Sequence, residues 1–104
     1  GEGQPQTQAA VFTRYASFAQ DLQEAITRPR WLLGRTWGAA SDALHVESGF
    51  PETIASALRQ AGHDVRLVER YSEMMGHAGA LVRHPSGPIE MACDPRSDGG
   101  VAAW

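Results

Sequence analysis

The chain contains a single cysteine, Cys93, among its 104 residues. One thiol cannot form an internal disulfide, and it is too few for a multi-cysteine zinc site. No run of 18 or more apolar residues occurs, so we expect no membrane-spanning helix. Lysine is absent, and 12 acidic residues outnumber the 9 arginines, which leaves a net charge of −3. Because nucleic-acid-binding modules are typically basic, this balance argues against a nucleic-acid partner.

The length and composition that remain indicate one ordinary globular unit. Hydrophobic residues make up 42% and charged residues 20% of the chain, as in typical globular proteins. A chain of this length buries one modest core, so we predict a single domain over residues 1–104. The sequence begins with Gly1 and shows no signal-peptide pattern, so we expect a processed chain or a fragment.

Helical spacing of apolar residues predicts two helices. The first covers about Gln8–Ile26 and ends before Pro29, because a proline disfavours helical backbone in the residue before it. The second covers Pro51–Gly62, where the proline suits the first turn and the glycine suits the C-terminal cap. Residues 1–7 are predicted to be an extended lead-in, and residues 30–42 are predicted to be irregular.

Four strands complete the predicted fold. Alternating apolar residues over Leu44–Glu47 and Asp64–Arg70 predict two of them. Ala78–His84 and Pro88–Cys93 flank Pro85-Ser86-Gly87, whose turn residues predict a hairpin. The order α-β-α-β-β-β predicts an α+β domain in which two helices lie against one face of a small, mainly antiparallel sheet.

The histidines and glycines show no pattern of a metal or cofactor site. The four histidines are His45, His63, His77 and His84. No pair has a metal-ligand spacing such as His-x-x-x-His, so we interpret them as surface and strand-edge residues and predict no metal site. No glycine-rich stretch matches a phosphate loop or a dinucleotide fingerprint, so no cofactor is predicted.

Two features near the C-terminus allow a chemical or a structural interpretation. Cys93 acts as a nucleophile only with a base, for which His84 across the predicted hairpin is the candidate. The alternative is that Cys93 is a small core residue at a strand end. Asp94 and Arg96, in Asp94-Pro95-Arg96, are interpreted as a local ion pair that braces the terminal turn.

Several stretches, taken together and in order, resemble one protein family. They are Gly3–Gln8, Ala25–Trp31, Leu44–Phe50 followed by Leu58, Gly62, His63 and Val65, Gly76–Ala80, and Asp94–Gly99. Their order and spacing resemble the C-terminal part of the small subunit of gamma-glutamyltranspeptidases. These enzymes are N-terminal-nucleophile hydrolases, which cleave themselves to expose a threonine. The resemblance implies that the chain is part of an αββα sandwich and corresponds to about the last half of that small subunit.

The resemblance also implies which catalytic parts the chain holds. The family's nucleophile is the threonine that begins the small subunit, and we expect no counterpart here, so no catalytic residue is assigned. The threonines of this chain stand in other contexts, at Thr7, Thr13, Thr27, Thr36 and Thr53. A glycine pair in the family supplies backbone N–H groups to the oxyanion hole, and Gly1 corresponds to its second member. Gly1 is the substrate-binding residue that the resemblance implies.

The activity implied for the parent enzyme is transfer or hydrolysis of the gamma-glutamyl group of glutathione-like donors through a glutamyl-enzyme ester. The chain alone is expected to be inactive, and its partners are the large subunit and the N-terminal part of the small subunit. We expect a homodimer when the chain is isolated, since absent neighbours leave strand edges and apolar surface exposed. The alternatives are a fragment of a cephalosporin or glutaryl acylase and a stand-alone scaffold or interaction domain. The bacterial cytoplasm and periplasm are both compatible with the sequence.

Overall fold

The computed structural model describes residues 3–34 and 41–102. In chain order the described elements are α1 (Gln4–Ala16), α2 (Leu22–Thr27), β1 (Trp31–Leu33), β2 (Leu44–Glu47), α3 (Glu52–Gln60), β3 (Val65–Val68), a short 3-10 helix (Glu73–Met75), β4 (Gly79–Arg83) and β5 (Ile89–Cys93). None of the helices in this part of the chain has the length and hydropathy needed to cross a membrane.

The strands β1, β2 and β3 form a three-stranded sheet in that order. β1 runs antiparallel to β2, whereas β2 runs parallel to β3. A parallel pair needs a crossover connection, and α3 supplies it and packs its apolar side on the sheet. The buried residues of this first core are Leu44, Val46, Ala55 and Val65, with Phe50 and Leu58 partly buried against them.

The strands β4 and β5 form a separate antiparallel hairpin. One face of the hairpin packs on α1 and α2, because alternate residues of a strand point to the same side. The buried residues of this second core are Leu22, Ile26 and Ala92, with Val11, Tyr15, Ala78, Ala80 and Val82 partly buried against them. The opposite face is open, since Leu81 is 63% and Ile89 is 56% exposed.

The predicted α+β class is confirmed, and the strand pairing is mainly antiparallel as predicted. The strand over Leu44–Glu47, the helix that follows it and the terminal hairpin are confirmed as well. The described part contains three helices rather than two and two sheets rather than one. The unpredicted strand is β1, which lies in the segment expected to be irregular. Its three residues are too few to show an alternation, and residues 35–40 of that segment lie outside the described part.

The predicted single helix over Gln8–Ile26 is wrong, because the chain breaks between α1 and α2. Ala19 has a φ of 52°, which lies outside the right-handed helical region. The side chain of Asp21 then accepts a hydrogen bond from the backbone N–H of Glu24 at 3.2 Å and caps α2. The predicted N-terminal lead-in is helical from Gln4 onward. Asp21 followed by Glu24 three residues later is a helix-capping pattern, and it was the sequence signal for a new helix start. The apolar stripe continues across this position, so the sequence was interpreted as one helix.

Gly49, just after β2, offers a test of how tightly the chain packs near the start of β1. Its φ is +118°, and a Cβ atom there would lie 2.9 Å from Cγ of Pro29. We expect Gly49→Ala to lower the free energy of unfolding by about 2–4 kcal/mol, because backbone strain and a steric clash add. Urea denaturation followed by circular dichroism measures this loss.

Gly87→Ala in the hairpin turn is the matched control. Gly87 has a φ of +112°, but a Cβ atom there meets nothing within 4 Å. We expect Gly87→Ala to lower the free energy of unfolding by about 1–2 kcal/mol, because this variant adds backbone strain alone. Equal losses for Gly49→Ala and Gly87→Ala would contradict the predicted clash with Pro29.

Candidate functional site

Four buried charged side chains form the most unusual group in the described part of the chain. Their exposed fractions are 1% for Arg30, 0% for Glu47, 1% for Asp94 and 4% for Arg96. Charged side chains are almost never fully buried unless they are paired. Arg30 directly precedes β1, Glu47 ends β2 and Asp94 directly follows β5, so the fold brings three strand ends together. We call these four residues the charge cluster.

Arg96 is the centre of the charge cluster, and each N–H of its guanidinium group has an acceptor. Nε and Nη2 form a two-pronged pair with the Glu47 carboxylate, at 2.7 and 2.5 Å. Nη1 donates to the Asp94 carboxylate at 3.0 Å. The other two donors reach the backbone carbonyls of Ile26 and Arg28, both at 3.1 Å. Arg96 therefore joins the C-terminal end of α2 to the ends of β2 and β5.

Arg30 pairs with the second oxygen of Asp94. Its Nη2 donates to Oδ2 of Asp94 and to the carbonyl of Gly76, the latter at 3.1 Å. Its Nε and Nη1 are buried and have no hydrogen-bond partner among the described residues. Arg14 of α1 reaches the same region, where it donates to the carbonyl of Pro29 at 2.5 Å. The first helix is thereby tied to the segment that leads into β1.

The two carboxylates of the cluster also accept hydrogen bonds from backbone N–H groups. Glu47 accepts from Arg30 at 2.9 Å and from Ser72 at 3.0 Å. Asp94 accepts from Ala78 at 2.7 Å. Ser72 and Ala78 flank the 3-10 helix, so the segment that leads into β4 is held at both ends.

The surroundings of the charge cluster shift the pKa values of Asp94 and of its two arginines. Burial raises the pKa of Asp94, but hydrogen bonds from the backbone N–H groups of Ala78 and Arg96, with the charge of Arg30, hold that pKa below its ordinary value. Burial lowers the pKa of Arg96, but hydrogen bonds to Glu47 and Asp94 outweigh it and raise that pKa. Burial and the nearby charge of Arg96 lower the pKa of Arg30. The shifts of Asp94 and Arg96 both favour their charged forms, which suits a structural role rather than acid–base catalysis.

The predicted pairing of Asp94 with Arg96 is confirmed. Arg30 and Glu47 were not predicted as its partners. The sequence signal for a buried charge was a charged residue at the end of an apolar strand. Arg30 is next to Trp31, and Glu47 is next to Val46. That signal does not say which charges meet, because the partners are up to 64 residues apart in the chain.

Cys93 and His84, the candidate nucleophile and base, are not brought together. Cys93 is aligned with Gly79 at one end of the hairpin, whereas His84 follows β4 at the other end. His84 instead has its Nε2 3.4 Å from the carboxylate of Glu90. The described ranges 3–34 and 41–102 contain no group of three His, Cys, Asp or Glu residues that could hold a metal ion.

Three threonine hydroxyls take part in hydrogen bonds within the described chain. Thr7 donates to the carbonyl of Met75 at 3.3 Å, and Thr13 donates to that of Ala9 at 2.7 Å. Thr27 accepts from the side chain of Gln23 at 3.0 Å. The hydroxyls of Thr13 and Thr27 bond within their own helices, whereas that of Thr7 joins α1 to the 3-10 helix. Gly1, which the resemblance assigned to the oxyanion hole, lies outside the described residues.

An apolar groove of about 1050 Å³ runs along α1 and β4. Its apolar lining residues are Val11, Phe12, Tyr15, Leu22, Met74, Met75, Ala78, Ala80, Leu81 and Val82. Phe12 is 68% exposed there although its ring is large and apolar. An apolar concavity of this size is typical of a surface that a ligand or another part of a protein occupies.

Comparison with known proteins places the chain in a family. The gamma-glutamyltranspeptidase family model matches residues 1–104, which is the whole chain. The chain belongs to the gamma-glutamyltranspeptidase family. The predicted resemblance is therefore confirmed.

Curated relatives of this family member are much longer than the chain itself. The oxamate amidohydrolase proenzyme of Klebsiella pneumoniae subsp. pneumoniae is 58% identical over 104 residues, which are 100% of this chain and 20% of that protein. The glutathione hydrolase-like YwrD proenzyme of Bacillus subtilis is 42% identical over 101 residues, which are 97% of this chain and 19% of that protein. The chain thus spans about one fifth of the length of these relatives.

Solved structures agree with the family assignment. Cephalosporin acylase from Bacillus halodurans superposes with a TM-score of 0.81 at 33% identity, over 96% of this chain and 18% of that one. The transpeptidase CapD of Bacillus anthracis has a TM-score of 0.75 at 19% identity, over 96% of this chain and 57% of that one. The second similarity is one of fold. The described elements therefore adopt the fold of one part of a larger gamma-glutamyltranspeptidase-like protein.

Arg96→Met tests whether the charge cluster holds the folded chain together. The substitution leaves the carboxylates of Glu47 and Asp94 buried with one cation fewer. Breaking a buried pair in this way costs about 3–5 kcal/mol, and we expect that loss in the free energy of unfolding from urea denaturation. Should Arg96→Met fail to fold, Arg96→Lys keeps the charge but loses the two-pronged geometry, and a smaller, measurable loss is expected.

Arg66→Met is the control for removal of an arginine from an ion pair. Arg66 lies 3.2 Å from Asp64, and their side chains are 64% and 63% exposed. Exposed pairs contribute less than about 1 kcal/mol. If Arg96→Met and Arg66→Met were equally stable, the structural role of the charge cluster would be refuted.

Proposed function

We propose that this chain is the C-terminal, structural portion of an N-terminal-nucleophile enzyme that cleaves an amide bond. The observation that carries the proposal is the family match over residues 1–104. The relatives named above are an oxamate amidohydrolase, a glutathione hydrolase-like protein and a cephalosporin acylase. Oxamate, glutathione and cephalosporins all contain amide bonds, so cleavage of a C–N amide bond is the chemistry that these names share.

The proposed reaction uses a threonine supplied by another part of the parent enzyme. The hydroxyl oxygen of that threonine adds to the amide carbonyl carbon, while its proton passes to the amino group of the same residue. The C–N bond then breaks, and the amine leaves with a proton. Water hydrolyses the resulting ester to a carboxylic acid, or an acceptor amine takes the acyl group. The backbone N–H of Gly1 helps to stabilise the negative oxygen of each tetrahedral intermediate.

The charge cluster supports a structural role for this chain in that reaction. It fixes the ends of β1, β2 and β5 relative to α2 through side chains that are at most 4% exposed. The pKa shifts of Asp94 and Arg96 favour their charged forms, so these two groups add no competing acid or base near neutral pH. A scaffold with these properties holds catalytic groups on neighbouring segments in constant positions.

The acyl donor that we propose first is a gamma-glutamyl amide of the glutathione type. The name of the Bacillus subtilis relative, at 42% identity, favours this donor. A second candidate is a small amide such as oxamate, which the Klebsiella pneumoniae relative at 58% identity favours. The two donors differ in the amine that leaves, so one assay for each separates them.

We further propose that the rest of the parent enzyme covers the apolar groove and the open face of the hairpin. Phe12 lines the groove and is 68% exposed, and Leu81, on the open face of the hairpin, is 63% exposed. Large apolar side chains grouped in this way are covered in stable proteins. When the chain is isolated, the same surface is expected to pair two copies as a homodimer.

The activity prediction uses two assays on the purified chain. One measures chromophore release from a gamma-glutamyl p-nitroanilide, and the other measures ammonia release from oxamate. We expect no turnover by the chain alone, because the nucleophile belongs to another segment. Adding the upstream portion of the parent enzyme is expected to restore turnover of one of the two amides.

The upstream portion alone serves as the control for complementation. It is expected to be inactive or far less active without this chain. The reason is that the chain contributes the apolar groove that packs against it and the charge cluster that fixes the strand ends. Turnover by the 104-residue chain alone would contradict the assignment of the nucleophile to another segment. Failure of the complete enzyme on both amides would favour the stand-alone scaffold or a different acylase.

The homodimer prediction is tested by size-exclusion chromatography with light scattering. At micromolar concentration we expect about twice the mass of 11.2 kDa, because burial of the apolar groove drives association. Phe12→Ser, in the groove, is expected to shift the chain toward the monomer. A clean monomer for the unmodified chain would refute self-association.

A further inference from the structure

One edge of β4 has no neighbouring strand in the described part of the chain, because β4 and β5 form a two-stranded sheet. Backbone groups along an antiparallel pair alternately face the neighbouring strand and face away from it. The N–H of His84 donates to the carbonyl of Pro88 at 2.9 Å, so His84 faces the second arm of the hairpin. By this alternation, three residues of β4 turn their backbone N–H and C=O groups away from β5, namely Gly79, Leu81 and Arg83.

The other end of the hairpin agrees with this alternation. Gly79 is aligned with Cys93 across the two strands. The carbonyl of Cys93 accepts a hydrogen bond from the side-chain amide of Gln23 at 2.8 Å, so it points out of the ladder. The backbone groups of Gly79, its aligned partner, therefore point outward on the opposite side, at the free edge of β4.

The free edge of β4 lies along the apolar groove. Every residue from Gly79 to Arg83 lines the groove. Alternate side chains of a strand point to opposite faces, so a groove that contacts all of them runs along the edge of the strand. The outward backbone groups of β4 thus stand beside the apolar side chains of α1, such as Val11 and Phe12. A row of unpaired backbone groups at such an edge is a template for another strand.

The outer edges of β1 and β5 are partly occupied by side-chain amides. In β1, Gln6 donates to the carbonyl of Leu33 at 2.9 Å and accepts from its N–H at 2.8 Å. In β5, Gln23 takes the carbonyl of Cys93. Each amide fills the place that a neighbouring strand would otherwise take.

The outer edge of β3 is protected by charge, since charged side chains discourage pairing with another strand. The charged residues within and around β3 are Asp64, Arg66, Glu69 and Arg70. In contrast, β4 reads Gly-Ala-Leu-Val before its single charge at Arg83. No side chain of the described residues occupies its outward backbone groups. Of the four outer strand edges in this part of the chain, β4 is the one best suited to pair with a further strand.

We propose that β4 is the dimerisation edge of this chain, and that it pairs antiparallel with β4 of a second copy. The inference rests on the homodimer stated under the proposed function, and it names the surface and the hydrogen bonds that form it. The two hairpins then make one continuous sheet across the interface. Addition of a strand to an exposed sheet edge is a common mode of protein association, in which main-chain hydrogen bonds supply affinity.

The sequence of β4 is self-complementary in this pairing. When the twofold axis passes beside Leu81, Leu81 of one copy stands opposite Leu81 of the other, and Gly79 stands opposite Arg83. These are the residues whose backbone groups face outward, so each pair exchanges both of its N–H···O=C bonds. The two Arg83 side chains lie at opposite ends of the interface, and like charges are not opposed. A patch that contacts itself is the isologous interface of a twofold dimer.

The same pairing covers apolar surface in the groove. A twofold axis perpendicular to the sheet leaves α1 of both copies on one side of it. Phe12, which is 68% exposed, then faces apolar surface of the second copy. Burial of this surface adds hydrophobic stabilisation to the hydrogen bonds of the strand pair. The strand edge and the groove are therefore two parts of one interface.

Leu81→Pro tests the strand edge directly. Proline removes the outward N–H of residue 81, and sheets tolerate proline at an edge because the ladder with the inner strand is kept. Size-exclusion chromatography with light scattering over a concentration series gives the dimer Kd of the 104-residue chain. We expect that Kd to rise roughly 10- to 100-fold, because the twofold axis makes each substitution remove two interface hydrogen bonds. Leu81→Ala keeps the N–H and is expected to raise the Kd less.

Met91→Pro is the matched control, because Met91 is aligned with Leu81 and turns its backbone groups to the outer edge of β5. It removes one outward N–H from the same hairpin, and we expect an unchanged dimer Kd. Circular dichroism checks that both proline variants are folded. An equal rise in Kd for Leu81→Pro and Met91→Pro, or for Leu81→Pro and Leu81→Ala, would overturn the assignment to the edge of β4.

Amide hydrogen exchange of the unmodified chain gives a second test that needs no variant. Dimer formation at higher concentration is expected to slow exchange at Leu81 and Arg83 by at least roughly 10-fold. Exchange at Ala80 and Val82 is expected to change less, since their N–H groups already face β5. A dimer in which the Leu81 amide exchanges as fast as in the monomer would overturn the inference.

The failures of the inference and of the proposed function are distinguishable. A dimer that keeps its Kd in Leu81→Pro would overturn the inference alone and leave the homodimer to another surface. A clean monomer of the unmodified chain would refute the homodimer and the inference together. Neither result bears on amide cleavage, which the complementation assays test separately.

Discussion

The two-pronged pairing of Arg96 with Glu47 is the contact on which the arrangement of this chain depends. It joins the segment after β5 to the end of β2 through two fully buried side chains. The two hydrophobic cores are small and share no buried residue. Buried charge requires a close partner in a defined geometry. The pair therefore specifies one relative position of the two sheets.

The remaining contacts of the cluster extend this constraint to the rest of the chain. Asp94 holds the segment before β4, and Arg96 holds the carbonyl groups at the end of α2. Arg14 and Gln6 attach α1 to the segment around β1. The interior is thus tightly connected, whereas the groove along α1 and β4 leaves apolar side chains exposed. This contrast supports the proposal that the chain is one part of a larger enzyme.

Elements with strong local signals were predictable from sequence. The strand over Leu44–Glu47 alternates, α3 begins after Pro51, and the hairpin turns at a glycine. The break between α1 and α2 was missed, because a continuous apolar stripe outweighed the capping signal of Asp21. The strand β1 was missed because its three residues are too few to show the alternation of apolar and polar residues that predicts a strand. Its pairing with β2 rather than its own sequence makes it a strand.

The sequence by itself determined the α+β class, the hairpin, the family resemblance and the local pair of Asp94 with Arg96. Each of these depends on neighbouring residues or on the order of motifs along the chain. Only the tertiary structure decided that Arg30 and Glu47 complete the charge cluster, and that Gln6 binds Leu33. The reason is physical: these partners are 17 to 64 residues apart, and a charge or an amide in a sequence does not reveal which distant group will desolvate and pair with it.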